Sequence, residues 1–191
     1  MLDLSKKTQA LKQAKKRKKP SKAYLTRVLL AWASVILWMT FIFVMSAQPV
    51  EESHETSTEV SEGIAGTVTP GFQEMPPEQK VETVEKFDIV VRKLAHFAEF
   101  GLLGVLFYTA VVATRNKLDI NWLIVEGSMI FVLAYAATDE LHQKYVPGRI
   151  ASIRDVAIDC LGALAGVAGT VALTAIIAFI IKKRKKAEAE K

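Results

Sequence analysis

VLLAWASVILWMTFIFVM, running from Val28 to Met45, carries no charged residue. A helix needs roughly 20 apolar residues to cross a hydrocarbon layer of about 30 Å. This stretch is nearly that length and ends abruptly at Ser46-Ala47-Gln48-Pro49, where the chain turns polar and Pro49 resists further helix. A soluble core would spread its apolar residues along the chain. Here 51% of the residues are hydrophobic, and they sit in long blocks separated by charged ones. Leu102 to Thr114 is a second uncharged block, extended backwards through Phe97-Ala98-Glu99-Phe100-Gly101. Ile120 to Thr138 holds a single acid, Glu126, and Cys160 to Ile181 holds no charge. Four spans are expected, at about 28–45, 94–114, 120–138 and 156–181.

The net charge of +5 does not point to nucleic acid, because of where the charge lies. Lysine and arginine crowd the tails, in Lys15-Lys16-Arg17-Lys18-Lys19 and Lys182-Lys183-Arg184-Lys185-Lys186. Such clusters beside membrane spans anchor against anionic lipid. Residues 46–93 instead carry about ten acids against Lys80, Lys86, Arg92 and Lys93. The positive-inside rule therefore places basic tails 1–27 and 182–191, with the short 115–119 loop, in the cytoplasm of a multi-pass cell-membrane protein. Residues 46–93 and 138–155 then face outward. A cleaved leader is not expected, since Met45 is too large for its place two residues before Ala47 in a cleavage site.

Within 46–93, Glu51 to Gly63 reads as a short helix or a solvated loop, with His54 in water. Thr69-Pro70-Gly71 and Pro76-Pro77 are breakers. After Pro77, Val81, Val84, Phe87, Val91 and Leu94 recur at helical spacing, with Glu78, Glu82, Glu85 and Asp88 mostly off their stripe. That pattern predicts an amphipathic helix, lying on the outer surface or packed on the protein itself, that then turns into the second span. The fold expected is an all-α, four-helix transmembrane bundle with this added surface helix.

Asp155, Asp159, Gly162 and Gly166 fall on one side of the last span. Gly162 and Gly166 form a small-xxx-small pair that admits a neighbouring helix closely, and that contact would turn both aspartates inward. Cys160 is the only cysteine, so neither an internal disulfide nor a cysteine-based zinc site is available; a small buried filler is expected. Glu126 is expected to face the bundle or to snorkel.

Two polar stretches flank the spans. In the first, Arg92, His96 and Glu99 share a helix face. The second contains Asp139, Glu140, His142 and Gln143, then Arg149, Ser152, Arg154, Asp155 and Asp159, with Pro147-Gly148 as a turn. The topology brings both to the same outer rim. Ionisable groups at a bilayer are costly and face partners or water-filled cavities. Three readings stay open. Arg92, Arg149 and Arg154 pair with the carboxylates and lock the helix ends; or the arginines hold the anionic head of an amphiphile; or His96, Glu99, Asp139, His142, Asp155 and Asp159 do acid–base or metal chemistry. The spacing matches no H-E-x-x-H motif, and no metal or other cofactor is called for.

R-K-x-x-H-F-x-E-F at Arg92 to Phe100, with T-D-E-x-H-Q-x-x-V-P-G-R-x-x-S-x-x-D-x-x-x-D at Thr138 to Asp159, resembles the VanZ-like family. Ser46-Ala47-Gln48-Pro49 followed by Ser53 is similar to that family's S-x-Q-x-x-x-x-S pattern. The resemblance covers roughly residues 28–175. It implies a bacterial integral membrane protein with a site at the outer face. The family takes its name from a protein conferring low-level resistance to teicoplanin, a lipidated glycopeptide. The expected partners are therefore membrane lipids and an amphiphilic envelope ligand or glycopeptide. The alternative is a membrane-embedded hydrolase or transferase acting on a lipid-linked substrate.

Overall fold

A computed structural model describes residues 20–117 and 120–189. The basic run Lys15 to Lys19 lies outside the described residues. Within them every element is helical: α1 Lys22–Ser46, α2 Val50–Val68, a short 3-10 turn Phe72–Glu74, α3 Pro77–Arg115, α4 Trp122–Gln143 and α5 Ile153–Ala189. Helices α1, α3, α4 and α5 are long and apolar enough to cross a membrane.

Local sequence explains the ends. Ser21 caps α1, its hydroxyl accepting from the Tyr24 amide at 3.2 Å. Asn121 caps α4 in the same way, through the Leu123 amide at 3.0 Å. Asn116 ends α3 in the left-handed conformation, φ 53°. α1 starts ahead of the apolar block because its first turns are tied to the end of α3. The Tyr24 hydroxyl donates to the Thr114 carbonyl at 2.7 Å, and Arg27 donates to the Asn116 side chain at 2.5 Å. α5 likewise runs on through Lys182 to Lys186 as helix.

The acidic segment after Pro49 is the 19-residue helix α2, packed on α3. The amphipathic stretch is not a separate element. It is the first half of α3, one unbroken helix of 39 residues, roughly 58 Å long at the α-helical rise. No glycine or proline interrupts residues 78–100, so nothing in the backbone provides a bend. The buried face is also rotated from the expected stripe. Val84, Phe87 and Val91 are half-buried, Val81 and Leu94 are exposed, and Asp88 is buried.

The membrane helices hold together by fit rather than by bulk apolar burial. α3 and α5 form the most heavily packed pair. A Cβ on Gly162 would strike the Phe97 carbonyl, one on Gly166 the Gly101 carbonyl, and one on Gly104 would stand 2.9 Å from the Ala163 carbonyl. The two backbones therefore touch along several turns. Val35, Ile42, Phe100, Leu103, Val132, Ala136 and Ala163 fill the centre. Phe107 and Phe131 stack at 3.9 Å between ring centroids. α1 is joined to its neighbours by hydrogen bonds: Trp38 Nε1 to the Glu99 carbonyl at 2.8 Å, Trp32 Nε1 to Thr114 Oγ1 at 3.0 Å, and the Tyr135 hydroxyl to the Met39 carbonyl at 2.6 Å. Outward-facing apolar side chains such as Leu29, Leu37 and Phe179 complete a surface suited to lipid.

Candidate functional site

The polar residues gather at the end of the bundle where α1 gives way to α2. Ser46 is the last residue of α1 and is buried there. Its hydroxyl donates to Asp139 Oδ2 at 2.9 Å, and Gln143 Nε2, one turn further along α4, donates to the same oxygen at 2.9 Å. Gln143 turns its other side-chain atom outward, where Oε1 accepts from Arg149 Nη1 at 3.3 Å. Arg149 Nε donates to the Gln48 carbonyl at 3.1 Å. One chain of bonds thus runs from Asp139 inside α4 to Arg149 on the connecting turn.

That turn is built around Gly148, at φ +76°, where a side chain would strike Val50 at the start of α2. Glu140 takes the Ser152 amide through Oε1, and Ser152 Oγ accepts from the Arg154 amide at 3.2 Å, which fixes the beginning of α5 against α4.

α3 supplies the opposite wall. Arg92, His96 and Glu99 all line a cleft of about 520 Å³ with Ser46, Gln143, Arg149 and Asp155. Val50, Val60, Ile89, Val91 and Ile150 give the same cleft an apolar side. Asp159 lies one turn deeper than Asp155 and is buried; its Oδ1 stands 3.7 Å from His96 Nδ1. Neither of those two atoms has a hydrogen-bond partner, and Asp139 Oδ1 has none either.

The arrangement separates the expected residues. Arg92, His96, Glu99, Gln143, Arg149 and Asp155 meet at the cleft; Asp139, Glu140, Ser152 and Asp159 support it from within or beside it. His142 does not line the cleft; its ring stacks on Phe43 at 4.4 Å. Arg154 is exposed, and the bond it makes is through its backbone amide. His54 is not simply solvated: Nδ1 reaches Asp88 Oδ2 at 3.0 Å, and Arg92 Nε stands 3.6 Å from the same oxygen. Cys160 is only half-buried, and Glu126 is exposed. Ser46, Gln48 and Ser53 extend the expected set. The S-x-Q-x-x-x-x-S pattern was the available signal for them, although Gln48 serves through its backbone carbonyl, which no sequence pattern specifies.

Arg149 is held by neutral oxygens. Among the described residues no carboxylate lies within ion-pair distance of Arg149, and the partner of Arg92 is Asp88 on its own helix. Burial, with the like charge of Arg92, pulls the Arg149 guanidinium below its ordinary value, against the opposite pull of Asp139, Glu140 and Glu99. Among the described residues no three histidines, cysteines or acids form a metal-holding group.

The four apolar helices and this polar end define a multi-pass helical membrane protein. The VanZ/LLP1 family model matches residues 31–179, from within α1 to within α5, and the chain belongs to that family. No curated protein and no solved structure matches it.

Proposed function

We propose that the cleft recognises the anionic head of an amphiphile from the outer leaflet of the bacterial cell membrane. The observation behind this reading is Arg149. Two neutral acceptors position its guanidinium at the cleft, and among the described residues no direct ion pair uses its charge. A phosphate or carboxylate would supply the missing partner in a bidentate contact. The apolar side formed by Val60, Ile89 and Ile150 suits a hydrocarbon chain next to that head. The positive-inside charge distribution supports an outward-facing cleft with both tails in the cytoplasm. Teicoplanin has this amphiphilic chemistry, so reduced glycopeptide susceptibility is the cellular effect proposed.

The test compares Arg149→Gln with Arg154→Gln, which changes an exposed arginine outside the cleft. Arg149→Gln should lose binding of an anionic amphiphile and any protection against teicoplanin, while Arg154→Gln keeps both. Unchanged binding by well-folded Arg149→Gln protein would overturn the reading. A second reading, hydrolysis or group transfer on a lipid-linked substrate, has the His96–Asp159 pair in its favour. Turnover of such a substrate by purified protein, lost in His96→Gln, would establish it.

A further inference from the structure

His96 and Asp159 stand close without completing a bond. At 3.7 Å the Nδ1–Oδ1 separation exceeds the roughly 2.7–2.9 Å of a charge-assisted hydrogen bond. Both atoms are buried and unpartnered. Unsatisfied polar atoms of this kind are costly, and in native proteins they point to strain, to a catalytic role or to a bound water or ion. The His96 ring lines the cleft, and its other nitrogen is not among the buried unpartnered atoms. The imidazole therefore spans from the cleft to a buried carboxylate.

Charge reaches the ring from its own helix, from α4, from α5 and from the turn that connects them. Arg92 shares its helix, Asp139 comes from α4, Arg149 from the connecting turn, and Asp155 and Asp159 from α5. A neutral imidazole donates from one nitrogen only; an imidazolium donates from both. Protonated, the ring can bond Asp159 through Nδ1 and present an Nε2–H donor to the cleft, beside the guanidinium of Arg149.

We propose that the cleft selects a lipid phosphate monoester over a phosphodiester, and that His96 takes up a proton as the monoester binds. This rests on the head-group reading above and names its ligand class. The proton comes from solvent and stays on the ring; no bond in the phosphate forms or breaks. A monoester carries a charge of about −1.5 to −2 near neutrality, whereas a diester carries one negative charge. The extra charge rewards a second cationic donor. When a ligand's binding raises a group's proton affinity, that group gains protons from solvent as the complex forms.

The probes are short-chain phosphatidic acid, short-chain phosphatidylglycerol with the same chains, and inorganic phosphate. Each is titrated calorimetrically into purified protein in two buffers of different ionisation enthalpy, which reads the protons exchanged. Phosphatidic acid should bind about tenfold more tightly than phosphatidylglycerol. His96→Gln should erase that preference and lower proton uptake by up to about one per ligand. Asp159→Asn, which keeps the buried shape, should lower the uptake while retaining binding, so a misfolded histidine variant does not decide the matter. Equal affinity for the two lipids, or uptake unchanged in both variants, overturns the proposal. Inorganic phosphate binding as tightly as phosphatidic acid overturns its lipid part. If Arg149→Gln weakens both lipids but no monoester preference exists, this inference alone fails. If Arg149→Gln weakens neither lipid, the head-group reading fails.

Discussion

Asp139 is bonded through one oxygen, and that oxygen serves two donors on different helices. Asp139→Ala would strand the Ser46 hydroxyl proton and leave Gln143 Nε2 with only its long 3.4 Å bond to Ser46 Oγ, and with Gln143 loosened Arg149 loses one of its two anchors. A stranded buried donor costs about 1–3 kcal/mol, so Asp139→Ala should lower the unfolding temperature in detergent and Ser46→Ala should lower it less. An unaltered Asp139→Ala melting curve would show that the buried bonds contribute nothing net. The carboxylate's place in the polar cluster at one end of the bundle was legible from its position just past the end of the third expected span. That Gln143 rather than His142 would be its neighbour was not legible. Both lie within a turn of Asp139, and the direction from which α1 approaches decides which one faces inward.

At the scale of elements, the α3–α5 crossing depends on missing side chains. Gly162→Val and Gly166→Val would drive a β-branched side chain into the backbone of α3, and forcing extra atoms into a packed contact costs about 1–3 kcal/mol or more. Gly169 lies on the same helix with open space where its Cβ would be, so Gly169→Ala should cost nothing. Thermal unfolding of the three variants side by side tests this; equal behaviour would mean that the glycines matter through helix propensity and not through contact. α2 depends on a different device. Buried Asp88 accepts His54 from α2 and stands near Arg92 on its own helix. Asp88→Asn should raise hydrogen exchange along α2 while leaving α1 and α4 protected, and uniform protection would show that apolar contacts alone seat α2.

For the whole molecule, the charge asymmetry between the acidic segment and the basic tails carries a topological prediction. With Cys160 replaced by alanine, Gly63→Cys in α2 should react with a membrane-impermeant maleimide in intact cells. Lys117→Cys, at the opposite end of the bundle, should react only after lysis. The reverse pattern would invert the orientation and place the cleft in the cytoplasm. An inverted cleft would face the inner leaflet, and a role against an external glycopeptide would lose its basis.

The sequence by itself determined the membrane class, because span length and the absence of charge answer to bilayer thickness, a property of the solvent and not of the fold. It also determined the polar rim and the glycine face, since period and spacing place residues on one side of a helix whatever the helix packs against. The continuous α3 lay beyond it. Whether an amphipathic stretch ends as a separate helix or continues into the span depends on what covers its apolar side, and here α2 packs on it. Tertiary structure alone decided that Arg149 would rest on Gln48 and Gln143, with no direct carboxylate partner among the described residues. The Gln48 contact joins residues 101 positions apart in the chain, and hydrogen-bond geometry in a part-buried site selects among partners that composition cannot rank.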